Sequence, residues 1–218
     1  MFIGHFAVGF AAKKAAPGLS LGTLFIGCQL LDLIWPVLVL LGVERVSVDH
    51  TATAFAPLDF EYYPWSHSLG MTLVWSLVAF VAIKNFGKDL RAALIMGAVV
   101  LSHWVLDFFT HRPDMPLWFA GPKLGLGLWD SVPATVIIEL ILFGVGIALY
   151  LNVAKGTGRK AATILWSLVA FLLLAYGANA FGPKPAIGTP SAAIAGPALA
   201  MWLIVAWGYW ADRHRRAQ

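Results

Sequence analysis

The chain has 218 residues, 60% of them hydrophobic and only 12% charged, with a formal net charge of +4 and a mean hydropathy of +0.78. A soluble domain carries roughly 25% charged residues, so an ordinary water-soluble fold is excluded and the surplus apolar surface must face lipid. The lone cysteine, Cys28, excludes an internal disulfide framework and a cysteine-based zinc site.

The first apolar stretch, Met1–Ala12, would reach only about 18 Å as a helix. It is expected to form a half-membrane or re-entrant helix packed against a bundle. It is not expected to be a cleavable signal, because Lys13 and Lys14 follow the apolar stretch instead of preceding it. Six longer apolar runs come next: Leu19–Leu41, His67–Lys84, Ala92–His111, Val132–Leu151, Ala161–Phe181 and Ser191–Ala211. Each is close to the ~20 residues that cross a hydrocarbon core. No alternating polar and apolar pattern persists, and an open sheet cannot sit in lipid. The expected fold is therefore all-α, a polytopic membrane bundle of six transmembrane helices plus the short N-terminal helix. It forms a single domain over residues 1–218, with residues 1–152 carrying the chemistry-bearing helices and 153–218 two scaffold helices and a basic tail. Internal repeats and glycine-rich phosphate loops are not seen.

Basic residues set the expected orientation. Lys13, Lys14, Lys84, Lys88, Arg91, Lys155, Arg159, Lys160, Arg213, Arg215 and Arg216 fall on one side, eleven of the fifteen. The positive-inside rule makes that side cytoplasmic, with both termini towards it, in the inner membrane. The positive charge is thus a topology signal and requires no nucleic-acid partner. Two opposite-side loops are long, Gly42–Ser66 and Arg112–Ser131, and loops beyond about 15 residues in a compact fold are often functional.

Ionisable residues inside the spans mark the candidate site. Asp32 lies within the first span, where a carboxylate costs at least about 2.5–3.5 kcal/mol on insertion scales and needs a partner. Pro36, four residues on, has no N–H for the Asp32 carbonyl. His67 follows Pro64 and Ser66 and is expected in the first turn of the second span, where the helix dipole favours the neutral, metal-binding imidazole. His103, Asp107 and His111 are spaced i, i+4, i+8, which places them on one face of a continuing helix and can supply neighbouring ligands to a divalent metal, zinc above all. Pro113 is expected to end that helix and swing His111 away. His5 lies at roughly the depth of Asp32. Asp130 is expected as an N-cap before Pro133. Glu139, two turns inside the fourth span, can ligate metal, act as a base or hold a ligand histidine. All these fall in the first four spans. The last two hold no interior ionisable residue and read as scaffold or lipid-facing.

The His near the N-terminus, the Asp of the first span, Pro64-Trp-Ser-His-Ser68, Ser102-His-x-x-x-Asp107 and Gly127-Leu-Trp-Asp-Ser131 resemble the bacterial inner-membrane family called membrane-bound metal-dependent hydrolases. The likeness runs from about His5 to Glu139. The His-x-x-x-Asp motif also resembles the corresponding helix of zinc-dependent phospholipase C, an all-helical multi-zinc enzyme. That resemblance implies a principal metal site of Asp32, His67, His103 and Asp107, with His5, His111 and Glu139 around a second metal. The chain departs from the phospholipase in having Thr135 where that enzyme has the His of a His-x-x-x-Glu pair. The implied function is metal-dependent hydrolysis of a phosphoester in a membrane lipid or lipid-linked substrate, at the outer leaflet. Glu139, Asp59 or Glu61 would be the proton-transfer base. Three other readings fit the same residues: a proton-coupled transporter using Asp32, His103, Asp107 and Glu139, a haem protein with His67 and His103 as axial ligands, and a non-catalytic protein with a structural metal or polar network.

Overall fold

The computed structural model describes residues 1–156 and 158–217, the last two of these, 216–217, by backbone alone. It is an all-α bundle with three short two-stranded sheets outside the long helices. Helix α1 (Ile3–Ala15) leads into α2 (Leu21–Cys28) and α3 (Leu30–Leu40). A loop with the antiparallel pair β1 (Arg45–Val48) and β2 (Leu58–Tyr62) follows, then the one-turn α4 (Pro64–His67), α5 (Leu69–Asn85) and α6 (Leu90–Thr110). The second loop carries β3 (Met115–Pro116) and β4 (Lys123–Leu124) before α7 (Val132–Val153). Then come β5 (Ala154–Gly156), α8 (Gly158–Phe181), α9 (Ser191–Ala198), α10 (Met201–Arg213) and β6 (Arg215–Ala217), which pairs with β5.

Helices α6, α7, α8 and the α9–α10 unit are long and apolar enough to cross a membrane, and α2 with α3, bent by 58°, makes a fifth where the pair counts as one span. Large apolar side chains such as Leu94, Ile141, Leu174 and Leu203 are exposed on them, as lipid-facing surfaces require. The expected count of six is reached only by adding α5, which has 17 residues. Its start explains the shortfall. The Ser68 side chain accepts from the Met71 N–H and caps α5, so His67 is cut off into α4. His67 therefore ends a separate one-turn helix, and the expected first-turn placement in the second span is corrected. At the head of α7 the cap is likewise Ser131, which accepts from the Ala134 N–H, in place of the expected Asp130.

Helix α1 has 13 residues, about 20 Å of helix and too short to span. Nine of them are buried, on every face, so this helix is the axis around which α2, α6 and α7 pack. Close approach needs small residues. A Cβ on Gly146 of α7 would stand 2.8 Å from the Ala7 Cα, so only glycine lets α7 lie against α1. Phe6, Phe10, Phe25, Phe143 and Tyr150 then interlock edge-to-face around α1.

Candidate metal centre

Helix α6 runs unbroken through His103 and Asp107, so their four-residue spacing sets both side chains on one face. Asp32 reaches the same point because the bundle bends at Gln29, between α2 and α3. The bend puts Asp32 in the first turn of α3, where the exposed N–H groups favour a carboxylate. Pro36 lies within α3 without breaking it, so the bend belongs to Gln29. His67 comes from α4 and His5 from the buried first turn of α1.

The distances show how tightly these groups meet. His67 Nε2 lies 3.3 Å from Asp32 Oδ1 and 3.9 Å from Asp107 Oδ2. His103 Nε2 lies 3.7 Å from the same Asp32 oxygen and 3.1 Å from the same Asp107 oxygen. Ligands about 2.0–2.1 Å from a tetrahedral ion stand about 3.3 Å apart, and these four separations bracket that value. His5 Nε2 is 3.0 Å from Asp107 Oδ1, and its ring stacks on that of His103 at 3.7 Å between centroids. The Met1 nitrogen also contacts Asp107 Oδ1. Two overlapping groups thus have metal-holding geometry: Asp32, His67 and His103, and His5, His103 and Asp107.

Neighbouring groups set which ring nitrogen is free. His103 Nδ1 is 2.8 Å from the Cys28 carbonyl, which can only accept, so Nδ1 carries the proton and Nε2 presents its lone pair. For His67 the support is a chain. Ser66 Oγ donates to Glu44 Oε2 at 2.7 Å, the Ser66 N–H donates to Glu44 Oε1 at 2.9 Å, and His67 Nδ1 lies 2.7 Å from Ser66 Oγ. With its proton on Glu44, the hydroxyl can only accept from His67 Nδ1–H, which frees Nε2. Burial pushes the Glu44 carboxyl up from its ordinary value, against the opposing pull of these hydrogen bonds. Both free lone pairs face carboxylate oxygens, and His103 Nε2 has no hydrogen-bond partner among the described residues. Lone pairs so placed repel unless a proton or a metal cation lies between them, so the donor set fits a divalent metal. His5 is braced differently, since its Nδ1 has no partner among the described residues.

The remaining expected residues are placed elsewhere. His111 follows the last turn of α6 in extended backbone, as Pro113 implied, and its Nδ1 lies 3.0 Å from Asp114 Oδ1. Tyr63 donates to the same oxygen at 3.1 Å. Burial pushes the Asp114 carboxyl up, but the hydrogen bonds from His111 and Tyr63 and the Arg112 charge outweigh it and hold it below the usual range. Glu139 Oε2 accepts from the N–H groups of Phe2 and Gly4 at 2.9 and 3.0 Å, so it caps α1 and positions the turn that carries His5. Asp59 pairs with Arg112 at 2.5 Å, and Glu61 faces Arg45 at 4.0 Å on an exposed edge. Neither Asp59 nor Glu61 lines the cavity beside the cluster, so the structure does not bring them to the site as bases. Glu44, Ser66 and Asp114 are the supporting residues that the spacing of the motifs gave no means of finding.

Asp32, His67, Asp107 and His111 line one end of a cavity of about 640 Å³. Its roof is the first loop, with Phe55–Leu58 and Phe60, and Trp129 stands beside His111. The far wall comes from α8, α9 and α10.

Fold and site together define a helical membrane protein with a buried His/Asp cluster able to hold a metal ion. Compared with family models, curated proteins and solved structures, the chain matches none.

Proposed function

We propose that the chain is a membrane-embedded metal-dependent hydrolase acting on a phosphoester of a lipid or lipid-linked molecule. The observation that carries this reading is the convergence of Asp32, His67, His103 and Asp107, of which Asp32, His67 and Asp107 line one end of a mostly apolar cavity between the apolar helices. Ligand pockets are typically ~300–1,000 Å³ with a few convergent polar groups. The motif resemblance to membrane-bound metal-dependent hydrolases supports the same reading, and with it a place in the bacterial inner membrane with the site towards the outer side.

Asp32, His67, His103 and Asp107 would hold the principal ion, with His5 beside Asp107; zinc suits nitrogen and carboxylate donors of this kind. When bound, such an ion supplies Lewis-acid polarisation of a phosphoryl oxygen and makes water acidic enough to attack near neutral pH. The protein's own part is orientation. Cys28 and the Ser66–Glu44 pair fix the two imidazoles, and α1, capped by Glu139, holds His5 against His103. His111 faces the cavity with Nδ1 on Asp114, which leaves Nε2 to exchange a proton with the leaving group.

The test is metal analysis and hydrolysis measured on the same purified protein. Wild type should retain a divalent metal and release alcohol or phosphate from a phospholipid or a prenyl phosphate, and His103→Ala with Asp107→Ala should lose both. Metal retained equally by the double variant overturns the site. Metal bound by wild type with no hydrolysis across a panel of phosphomonoesters, phosphodiesters and diphosphates overturns the hydrolase.

A further inference from the structure

The cavity extends well past the cluster, and its extension involves the helices that appeared to be mere scaffold. On α8, Phe171, Ala175 and Asn179 recur every four residues and line it as one stripe. On the facing unit, Ile194, Pro197, Ala198, Met201 and Ile204 do the same. The stripe is made of small or unbranched side chains at its centre, where Ala175, Ala193 and Ala198 leave width between the helices. Pro197 has no N–H to return to the Ala193 carbonyl. Leu199, Ala200, Trp202 and Leu203 donate three residues back, a tighter winding that interrupts the helix between α9 and α10 beside the cavity. Of its titratable groups, the Met1 ammonium, Asp32, His67, Asp107 and His111 stand at one end and Lys184 at the rim, its Nζ donating to the Phe55 and Asn179 carbonyls. The remaining lining is almost wholly carbon.

We propose that the space between α8 and α9–α10 is a tail subsite that takes one long hydrocarbon chain of a single-chain phosphate amphiphile, whose phosphate lies at the His/Asp cluster. This rests on the hydrolase reading for the headgroup but not for the tail. A chain at this position can leave the lipid sideways between the two helices without crossing water, since both are exposed to lipid on their outer faces, at Leu174 and Leu203. A methylene occupies roughly the ~30 Å³ of a liquid water molecule, so about 640 Å³ suits one chain with its phosphate and is tight for two. The shared chemistry of an alkyl and a prenyl chain fits equally, and the experiment separates these sources.

The probe is a hexadecyl phosphate with a terminal diazirine, photolysed in nanodiscs containing the full chain, with the labelled residues read by mass spectrometry. Parallel arms use a prenyl phosphate of similar length, the matching alcohol without phosphate, and a diacyl phosphatidic acid. Label should concentrate on the cavity-lining positions Phe171, Ala175, Asn179, Ile194, Ala198 and Met201, and the phosphate probes should outlabel the alcohol. Whichever single-chain arm labels more strongly identifies the source. Ala175→Trp and, as a milder fill, Ala193→Leu should reduce this label by about tenfold, since a clash in a close pocket discriminates steeply, while metal content stays at the wild-type level. Label spread evenly over outer-face residues such as Leu77, Leu174 and Leu203 overturns the subsite. Label unaffected by either fill does so too, and a diacyl probe that labels as well as the single chain overturns the single-chain assignment. Cross-linking does not need turnover, so an inactive protein that still labels at those cavity-lining positions separates failure of the hydrolase from failure of the tail subsite.

Discussion

Helix α1 carries a buried ionic cluster at each end, and the two are built on opposite plans. At its C-terminal end Lys13 donates to Asp212 and to the Leu19 carbonyl, both at 2.7 Å, and Tyr150 donates to the other Asp212 oxygen at 3.1 Å. The Lys13–Asp212 pair is satisfied there, although the neighbouring Arg215 keeps one nitrogen, Nε, without a partner among the described residues. At the N-terminal end, His5, His67 and His103 surround two carboxylates with lone pairs facing oxygens, and His5 Nδ1, His103 Nε2 and Glu139 Oε1 lack partners among the described residues. A saturated pair holds a fold together, whereas a set of braced but unsatisfied donors waits for a ligand. The difference is visible only when partners are counted atom by atom.

Five kinds of substitution test that contrast. The largest effect is expected at the open cluster, where His103→Ala with Asp107→Ala should abolish metal retention, measured by elemental analysis after dialysis. Metal-free thermal stability should fall by less than that of the metal-loaded protein, since Asp107→Ala still takes the acceptor from the Met1 ammonium and from His5. An equal loss of stability in metal-free protein would mean that the cluster is structural.

At the closed pair the order reverses. Lys13→Ala leaves a buried carboxylate unpaired and should cost about 3–5 kcal/mol, while Lys13→Met with Asp212→Leu should recover most of it. Metal content per folded chain should not change. A Lys13→Ala protein as stable as wild type would remove the structural role assigned to that end.

Glu44→Ala unties Ser66 and thereby His67. Loss of such an outer support lowers metal affinity by roughly 10–100-fold, readable by competition with a chelator, with Glu44→Gln retaining more than Glu44→Ala. The Asp114 substitution comes next. Its carboxyl titrates below its unfolded value of about 3.9, so its stabilisation is present above that pH and is lost as pH falls through the folded value. Asp114→Asn should cost about 1–3 kcal/mol near neutral pH and should flatten the acid side of the thermal-stability profile. The smallest effect belongs to Glu61→Gln. Its pair with Arg45 is exposed, and such pairs contribute about 0–1 kcal/mol; metal content and turnover should match wild type. A large loss of activity here would return Glu61 to the reaction.

Much of the site was legible from residue type alone. An Asp or His within an apolar span carries a desolvation penalty that demands a partner, so Asp32, His103 and Asp107 stood out, and a four-residue spacing on one helix fixed the geometry of two of them. The end of α6 before Pro113 followed from the proline. The placement of His67 did not, because a span start and a one-turn helix share the same Pro and Ser signals, and only the Ser68 cap separates them. Glu44 and Asp114 were hidden for a different reason. They are loop carboxylates with no local pattern, and their roles come from contacts across the sequence.

By itself, then, the sequence determined that the chain is an apolar helical bundle and that Asp32, His103 and Asp107, ionisable residues inside apolar stretches, needed partners there. Hydropathy and helical spacing are local properties, and both survive in the chain order. Only the tertiary structure decided that α1 is the axis of the bundle, that Glu139 caps it, and that the bend at Gln29 carries Asp32 to His67. It also turned the inner faces of α8, α9 and α10 into a cavity wall. Those outcomes depend on which glycines admit a neighbouring helix and on where a buried carboxylate finds N–H donors, and such long-range pairings leave no period in the sequence.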